Sequence, residues 1–232
     1  MNQTMNKWFL SSALCVVPAL SHADSFSETK TRAEAGDAVA QDALGTMYAH
    51  GDNVARDYDE ALRWYKQAVA QGNASAQSHL GDLYRYGYGV EEDDREAVRW
   101  YQKSADQGYA EGQHKLGVMY SFGSGVDQDY SASLLWETKA AEQGHSEAQF
   151  NIGTMYHYGD GVEKDYVQAV HWYQQAAEQD HGPAQYNLAS LYYAGQGVEQ
   201  NATLAKQWLG KSCDNGFREA CFTYRQLEEQ GY

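Results

Sequence analysis

Residues 148–176 read AQFNIGTMYHYGDGVEKDYVQAVHWYQQA, and the same frame returns along the chain at a step of 36 residues, marked by Trp64, Trp100, Trp136, Trp172 and Trp208. One structural unit has therefore been copied head to tail. A repeat of this length buries its apolar face only against its neighbours, so the product is an extended solenoid surface rather than one enclosed catalytic pocket. Binding is the expected use of such a surface.

Other positions recur at the same step. Leu44, Leu80, Leu116, Ile152 and Leu188 keep a large aliphatic residue in register, and Tyr48, Tyr84, Tyr120, Tyr156 and Tyr192 follow four residues later, on the same helical face. Between them Gly45, Gly81, Gly117, Gly153 and Ala189 stay small, as a close helix crossing requires. Later in each unit, Ala61, Ala97, Ser133, Ala169 and Ala205, the tryptophans, and Ala68, Ser104, Ala140, Ala176 and Ser212 mark a second apolar stripe.

Punctuation divides each unit into two helices. Gly51, Gly87, Gly123, Gly159 and Gly195 end helix A, because a left-handed residue commonly closes a helix. Asp57, Asp93, Asp129, Asp165 and Asn201 then precede the second stripe, where a short side-chain oxygen can accept a free amide of the first turn. Helix B ends near Gly36, Gly72, Gly108, Gly144 and Gly216, with Asp180 replacing glycine at one junction that is expected to be altered.

The pattern Ala-x-x-x-Leu-Gly-x-x-Tyr, a Gly-x-Gly-Val turn, Asp-Tyr-x-x-Ala and Trp-Tyr-x-x-Ala resembles the Sel-one-like repeat family. The fourth unit carries it on Ala148, Ile152, Gly153, Tyr156, Gly159, Gly161, Val162, Asp165, Tyr166, Ala169, Trp172, Tyr173 and Ala176. The resemblance implies an all-α, tetratricopeptide-like, right-handed α/α solenoid of antiparallel helix pairs, used mainly as an adaptor for other proteins, and it implies no shared reaction. Departures are local. The first unit has Asp52-Asn53 where the others carry a glycine in the turn, and the third has Glu137 in place of the aromatic after tryptophan. Residues 36–215 are assigned to five helix pairs, residues 24–35 to a short lead-in, and residues 216–232 to a carboxyl-terminal capping helix.

The amino terminus carries a different signal. Lys7 precedes a thirteen-residue apolar stretch at residues 8–20, and Ser21-His22-Ala23 places small residues at the first and third positions of a cleavage site. Residues 1–23 therefore read as a secretory signal peptide, since the stretch is too short for the roughly 20 residues that span a bilayer. No integral span is expected after cleavage, and the chain is expected to be periplasmic or secreted. Without Cys15 in the leader, Cys213 and Cys221 remain, an even count that favours a disulfide in an exported chain. Their spacing resembles the Cys-x7-Cys pair of the family's cysteine-rich subgroup. Two buried free thiols are the alternative.

Charge excludes some partners. Seventeen Lys and Arg face 32 Asp and Glu, for a net −15. Nucleic acid and anionic membrane surfaces are disfavoured, and a basic partner would be attracted. Inward-facing, non-repeating positions of helix A are expected to carry recognition, on Arg85, Tyr86, His114, Phe122, Phe150, His157, Tyr158, Tyr186 and Tyr193. Aromatic rings beside hydrogen-bonding groups suit a hot spot for an extended peptide or a helix.

Signs of chemistry are weak. Eight histidines are scattered without a metal-ligand spacing, so no metal and no cofactor are expected. Ser27-Glu28-Thr29-Lys30 matches the Ser-x-x-Lys pattern of penicillin-recognising enzymes, but no Lys-Thr-Gly or Ser-Asp-Asn partner follows, and no catalytic residue is assigned. The reading is an exported, non-enzymatic adaptor with peptide or protein binding on the concave face. Because cysteine-rich relatives are often labelled penicillin-binding or β-lactamase, a β-lactam-interacting cell-envelope protein is the alternative, and a secreted factor directed at a foreign partner is a third.

Overall fold

The computed structural model describes residues 26–229 and residue 231. The expected leader at residues 1–23 lies outside them, as do residues 24 and 25 of the lead-in. Among the described residues the secondary structure is entirely helical. A single helix, α1 (Phe26–Glu34), precedes five antiparallel pairs: α2 (Ala38–His50) with α3 (Tyr58–Ala70), α4 (Ala74–Tyr86) with α5 (Asp94–Asp106), α6 (Ala110–Phe122) with α7 (Tyr130–Ala141), α8 (Ser146–Tyr158) with α9 (Tyr166–Ala177), and α10 (Gly182–Ala194) with α11 (Ala202–Asp214). A last helix, α12 (Arg218–Glu229), closes the stack. Each helix A, α2 to α10 by even number, packs on the helix B before and after it, and successive helices A touch, α2 with α4 and α4 with α6. Helices A therefore form the inner layer of an α/α solenoid.

The repeated residues explain the pairing. Leu44, Leu80, Leu116, Ile152 and Leu188 are all within 1% of complete burial. The small residue beside each leucine is required by what crosses it. A Cβ on Gly45, Gly81 or Gly153 would meet the ring of Tyr65, Tyr101 or Tyr173 at 2.5 to 2.7 Å. Leu209 stands where those tyrosines stand, and there the small residue is Ala189, both residues buried. The tyrosine after tryptophan is thus the central core residue of the pair, while Trp100, Trp136, Trp172 and Trp208 are half-buried and pack across the junction onto the preceding unit. A lysine lies over three of these rings, with Lys103 3.9 Å from Trp100, Lys139 3.9 Å from Trp136 and Lys211 4.2 Å from Trp208.

The expected caps are in place. Asp57, Asp93 and Asp165 each accept two amides of the helix they open, and Asp129 and Asn201 each accept one. Two departures are absorbed by the backbone. Asn53 takes φ +59 in the turn where later units use glycine, and Asp180 takes φ +62 at the end of α9, so this junction keeps the common turn instead of being altered. Asp180 is tolerated because a Cβ at the equivalent Gly36, Gly72, Gly108 and Gly144 would meet nothing within 4 Å.

A buried glutamine ladder, absent from the sequence reading, ties the units together. Gln41, Gln113, Gln149 and Gln185 each donate to the last turn of the preceding helix B, through the carbonyls of Ala33, Ala105, Ala141 and Ala177. Their carbonyl oxygens accept from Gln71, Gln143, Gln179 and Asn215 at 2.7 to 2.9 Å. Each side-chain amide is satisfied at both ends, as buried polar groups require.

The termini are capped differently. Where a short lead-in was expected, α1 occupies the place of a helix B, with Ala33 buried and Phe26 edge-to-face on Tyr48 at 5.8 Å. At the other end Cys213 and Cys221 form a disulfide, Cα to Cα 4.7 Å, joining the end of α11 to α12. The alternative of two free thiols is thereby excluded.

Candidate binding face

The inner layer presents three open grooves in succession. The first, about 510 Å3, lies between α2 and α4 and is lined by His50, Arg56, Tyr58, Tyr65, His79, Asp82, Tyr86, Tyr88 and Lys115. The second, about 260 Å3, lies between α6 and α8, with Val118, Phe122, Tyr130, Glu137, Asn151, Thr154, Met155 and Asp160 among its walls. The third, about 200 Å3, opens between α10 and α12 and is lined by Tyr186, Ser190, Tyr193, Leu209, Gln226 and Leu227. The second and third fall at the two units that lack the core tyrosine.

The nine expected recognition residues divide into two groups. Tyr86, Phe122, Tyr158 and Tyr193 are 50%, 74%, 61% and 43% exposed. The first three sit one repeat apart on the final residue of α4, α6 and α8, which makes a row of aromatic rings along one edge of the inner face. Tyr86 lies 5.6 Å from Tyr88, Tyr88 stacks on Tyr58 at 4.6 Å, and the Arg85 guanidinium lies 5.4 Å from the Tyr86 ring. The other residues pack within the layer. Phe150 rests on His181 at 4.9 Å, Tyr186 on Phe217 at 5.3 Å, and His157 stacks on Tyr158 at 4.6 Å. Burial, assisted by Lys164, lowers the His157 pKa and keeps the ring neutral within this stack.

Beneath the rings runs a chain of polar contacts that crosses from unit to unit. His79 meets Asp42 at 2.8 Å, Lys115 bonds Asp82 at 2.7 Å and Glu111 at 3.2 Å, and Glu111 meets His145 at 2.9 Å. His145 holds Glu111 well below the ordinary carboxylate range, at about 2, against the opposing effect of burial and with help from Lys115. His114 Nδ1 lies 3.0 Å from Glu137, stacks on His145 at 4.6 Å, and belongs to this network more than to the surface. Burial opposes protonation of His114, yet the hydrogen bond and charge of Glu137 outweigh it and raise its pKa. Asn151 Nδ2 donates to the other oxygen of Glu137 at 2.9 Å.

Sequence reasoning passed over His79, Lys115 and Asn151, which occupy the position immediately before the leucine, and over Glu137 as a site residue. A signal was available: that column reads Ala43, His79, Lys115, Asn151 and Asn187, as variable in chemistry as the columns that were chosen. Among the described residues, no group of three or more His, Cys, Asp or Glu is placed to hold a metal ion. Ser27 and Lys30 are both exposed on α1, and Lys30 faces Glu34 at 3.9 Å.

Stacked helix pairs with a grooved, aromatic-edged inner layer define a tetratricopeptide-like α-solenoid. More narrowly, the chain belongs to the Sel1 repeat family, which matches residues 38–73, 74–109, 110–145, 146–181 and 182–217. Among solved structures, it is similar to a protective antigen present in uropathogenic Escherichia coli strains, with 36% identity and a TM-score of 0.81 over 88% of this chain and 44% of that one. It is also similar to a Sel1 repeat protein from Oxalobacter formigenes, at 31% identity and a TM-score of 0.81, over 87% of this chain and 58% of that one. The chain thus spans about half the length of these two proteins. An immunity protein from Pseudomonas aeruginosa shares 30% identity at a TM-score of 0.56, covering 80% of this chain and 68% of that one. Curated protein sequences gave no match. Sel1 repeat proteins are generally protein-interaction scaffolds, and the family is mostly non-enzymatic. Among the described residues, no helix is long and apolar enough to cross a membrane.

Proposed function

We propose that this protein is an exported, non-enzymatic adaptor that captures a peptide or protein partner along the inner layer of its solenoid. The observation that carries the reading is the row Tyr86, Phe122 and Tyr158, at least half exposed and repeated at one step, with Tyr86 lining the first groove and Phe122 the second. Exposed rings without a structural task of comparable size are what an interface uses as anchors, because they bury much area at low entropic cost. The disulfide supports an oxidising compartment, periplasmic or extracellular. A net charge of −15 favours a basic partner and opposes nucleic acid.

The test is crosslinking capture from the cell envelope and from culture supernatant, with the disulfide-bonded protein as bait, beside a nitrocefin hydrolysis assay. Capture of a specific partner, lost in a Phe122→Ala/Tyr158→Ala variant that remains folded, is the expected result. Hydrolysis that co-purifies through every step, with no partner captured, would overturn it.

A further inference from the structure

We infer that the second groove is a recognition pocket for a single basic side chain, Lys or Arg, of the partner, with Glu137 at its floor. The inference rests on the adaptor reading and names what one of its grooves selects.

Four observations lead to it. First, the repeat is broken there: over Gly45, Gly81 and Gly153 stand the rings of Tyr65, Tyr101 and Tyr173, and over Gly117 stands the side chain of Glu137, so a groove wall carries a carboxylate where the other three units carry a ring. Second, the exchange puts a carboxylate, 1% exposed, at the base of an opening of about 260 Å3, enough for a side chain and too small for a folded element. Third, the lining contains two carboxylates, Glu137 and the exposed Asp160, and neither Lys nor Arg. His114 contacts one oxygen of Glu137 and neutralises it in part when protonated, yet the pair of carboxylates still leaves the groove in negative excess. Each Glu137 oxygen accepts one hydrogen bond, from His114 or Asn151, and a carboxylate offers about four acceptor sites, so acceptor capacity remains. Fourth, the walls suit the stem of such a residue. Phe122 is 74% exposed and Tyr130 37%, with Met155 and Val118 beside them. An aliphatic stem can lie along these apolar walls while the cationic head meets ring faces and carboxylate.

The neighbouring grooves lack this combination. In the first, Asp82 already holds Lys115, and Arg56 adds a second cation. The third has no charged residue in its lining. A basic residue of an extended partner would therefore fix its register on the central groove, since charge complementarity sets register and specificity more than raw affinity.

The experiment is an mRNA-display selection of random peptides of about 12 residues, an extended-strand length, on the intact protein and on Glu137→Gln, Glu137→Tyr and Asp160→Asn variants. Binding of the enriched peptides is then measured by fluorescence anisotropy, each beside a form with its basic residue replaced by norleucine. Enrichment of a basic anchor is expected, with roughly tenfold weaker binding for the norleucine form and a similar loss for Glu137→Gln. The two losses should not add, because both remove one contact. Glu137→Tyr should abolish the basic preference by replacing the carboxylate with the ring that three other units carry. Asp160→Asn lies on the exposed rim and reports on the groove's charge without touching the buried network. Peptides that bind with no basic preference, or with one indifferent to both Glu137 and Asp160, would overturn the pocket and leave the adaptor reading standing. Failure of the intact protein to enrich any peptide would overturn the pocket together with peptide capture.

Discussion

Units two and three share a backbone and differ in where they keep their buried charge. In unit two Tyr101 fills the space over Gly81, and its hydroxyl donates to Asp82 on the same pair's helix A at 2.8 Å. Asp82 is held in turn by Lys115 from the next unit. In unit three the corresponding residues are Glu137, Val118 and Asn151, so the carboxylate has moved from helix A to helix B and its partners are His114 and Asn151. Both arrangements border a groove, and they differ in its charge: beside Asp82 the groove holds Lys115, and beside Glu137 it holds neither Lys nor Arg. One register position can thus hold a buried ring or a buried carboxylate without any change of fold, provided its polar neighbours change with it.

Transplanting one arrangement into the other should be the most damaging change. Tyr101→Glu removes a fully buried ring and places a second carboxylate beside Asp82, with Ser78 where unit three has His114. A loss of about 4 kcal/mol or more is expected from urea unfolding, the size of a buried charge left without its partner. A loss below about 1 kcal/mol, within the range of surface changes, would mean that the two environments are interchangeable. Removing the charge from the other side is next. Glu137→Ala should cost about 3 kcal/mol, because His114 and Asn151 lose their common acceptor. Adding Val118→Asp, His114→Ser and Asn151→Lys to Glu137→Tyr imports unit two's set, with the carboxylate that holds Tyr101 and Lys115, and should restore much of that loss.

The helices, their caps and the buried leucines follow from columns that do not vary, because solenoid packing imposes the same contacts on every unit. The groove at Glu137 was visible only as an exception, and its meaning depended on neighbours 23 residues earlier and 14 later. Tertiary partners at such distances carry no local periodicity. Tryptophan drew attention as the most distinctive column, yet the tyrosine after it does the central packing: Tyr101 and Tyr173 are fully buried while Trp172 is half exposed. The glutamine ladder was missed for a similar reason, since Gln41, Gln77, Gln113, Gln149 and Gln185 are invariant yet polar and were not counted as core.

Unit five offers a third arrangement, with Leu209 on Ala189 and a disulfide holding α12 over the open end. A Cys213→Ser/Cys221→Ser variant should lose about 2 kcal/mol, near the low end for a short closed loop. The loss should be confined to the end of the stack, because each unit contacts only its neighbours. Amide exchange is the sharper measurement: faster exchange in α11 and α12 with α4 to α7 unchanged is expected, and uniform acceleration would show that the comparison of separate units fails.

The smallest effect tests how the charge of unit three is balanced. The folded protein raises the pKa of His114 above its ordinary value of 6.5, so the imidazolium binds its proton more tightly in the native state than in the unfolded one. That contribution is fully present below the unfolded value and is lost as pH rises through the folded value. His114→Gln keeps a donor for Glu137 without the titration. The stability gap between the native protein and this variant should hold at about pH 5 and shrink towards about pH 9, where histidine has given up its proton. Unit two, whose buried pair is Lys115 with Asp82, should show no such change, because Lys115 is stabilised as a cation and titrates well above this range. A gap independent of pH would mean that His114 meets Glu137 as a neutral donor, and the contact between them would then be a hydrogen bond without an ion pair.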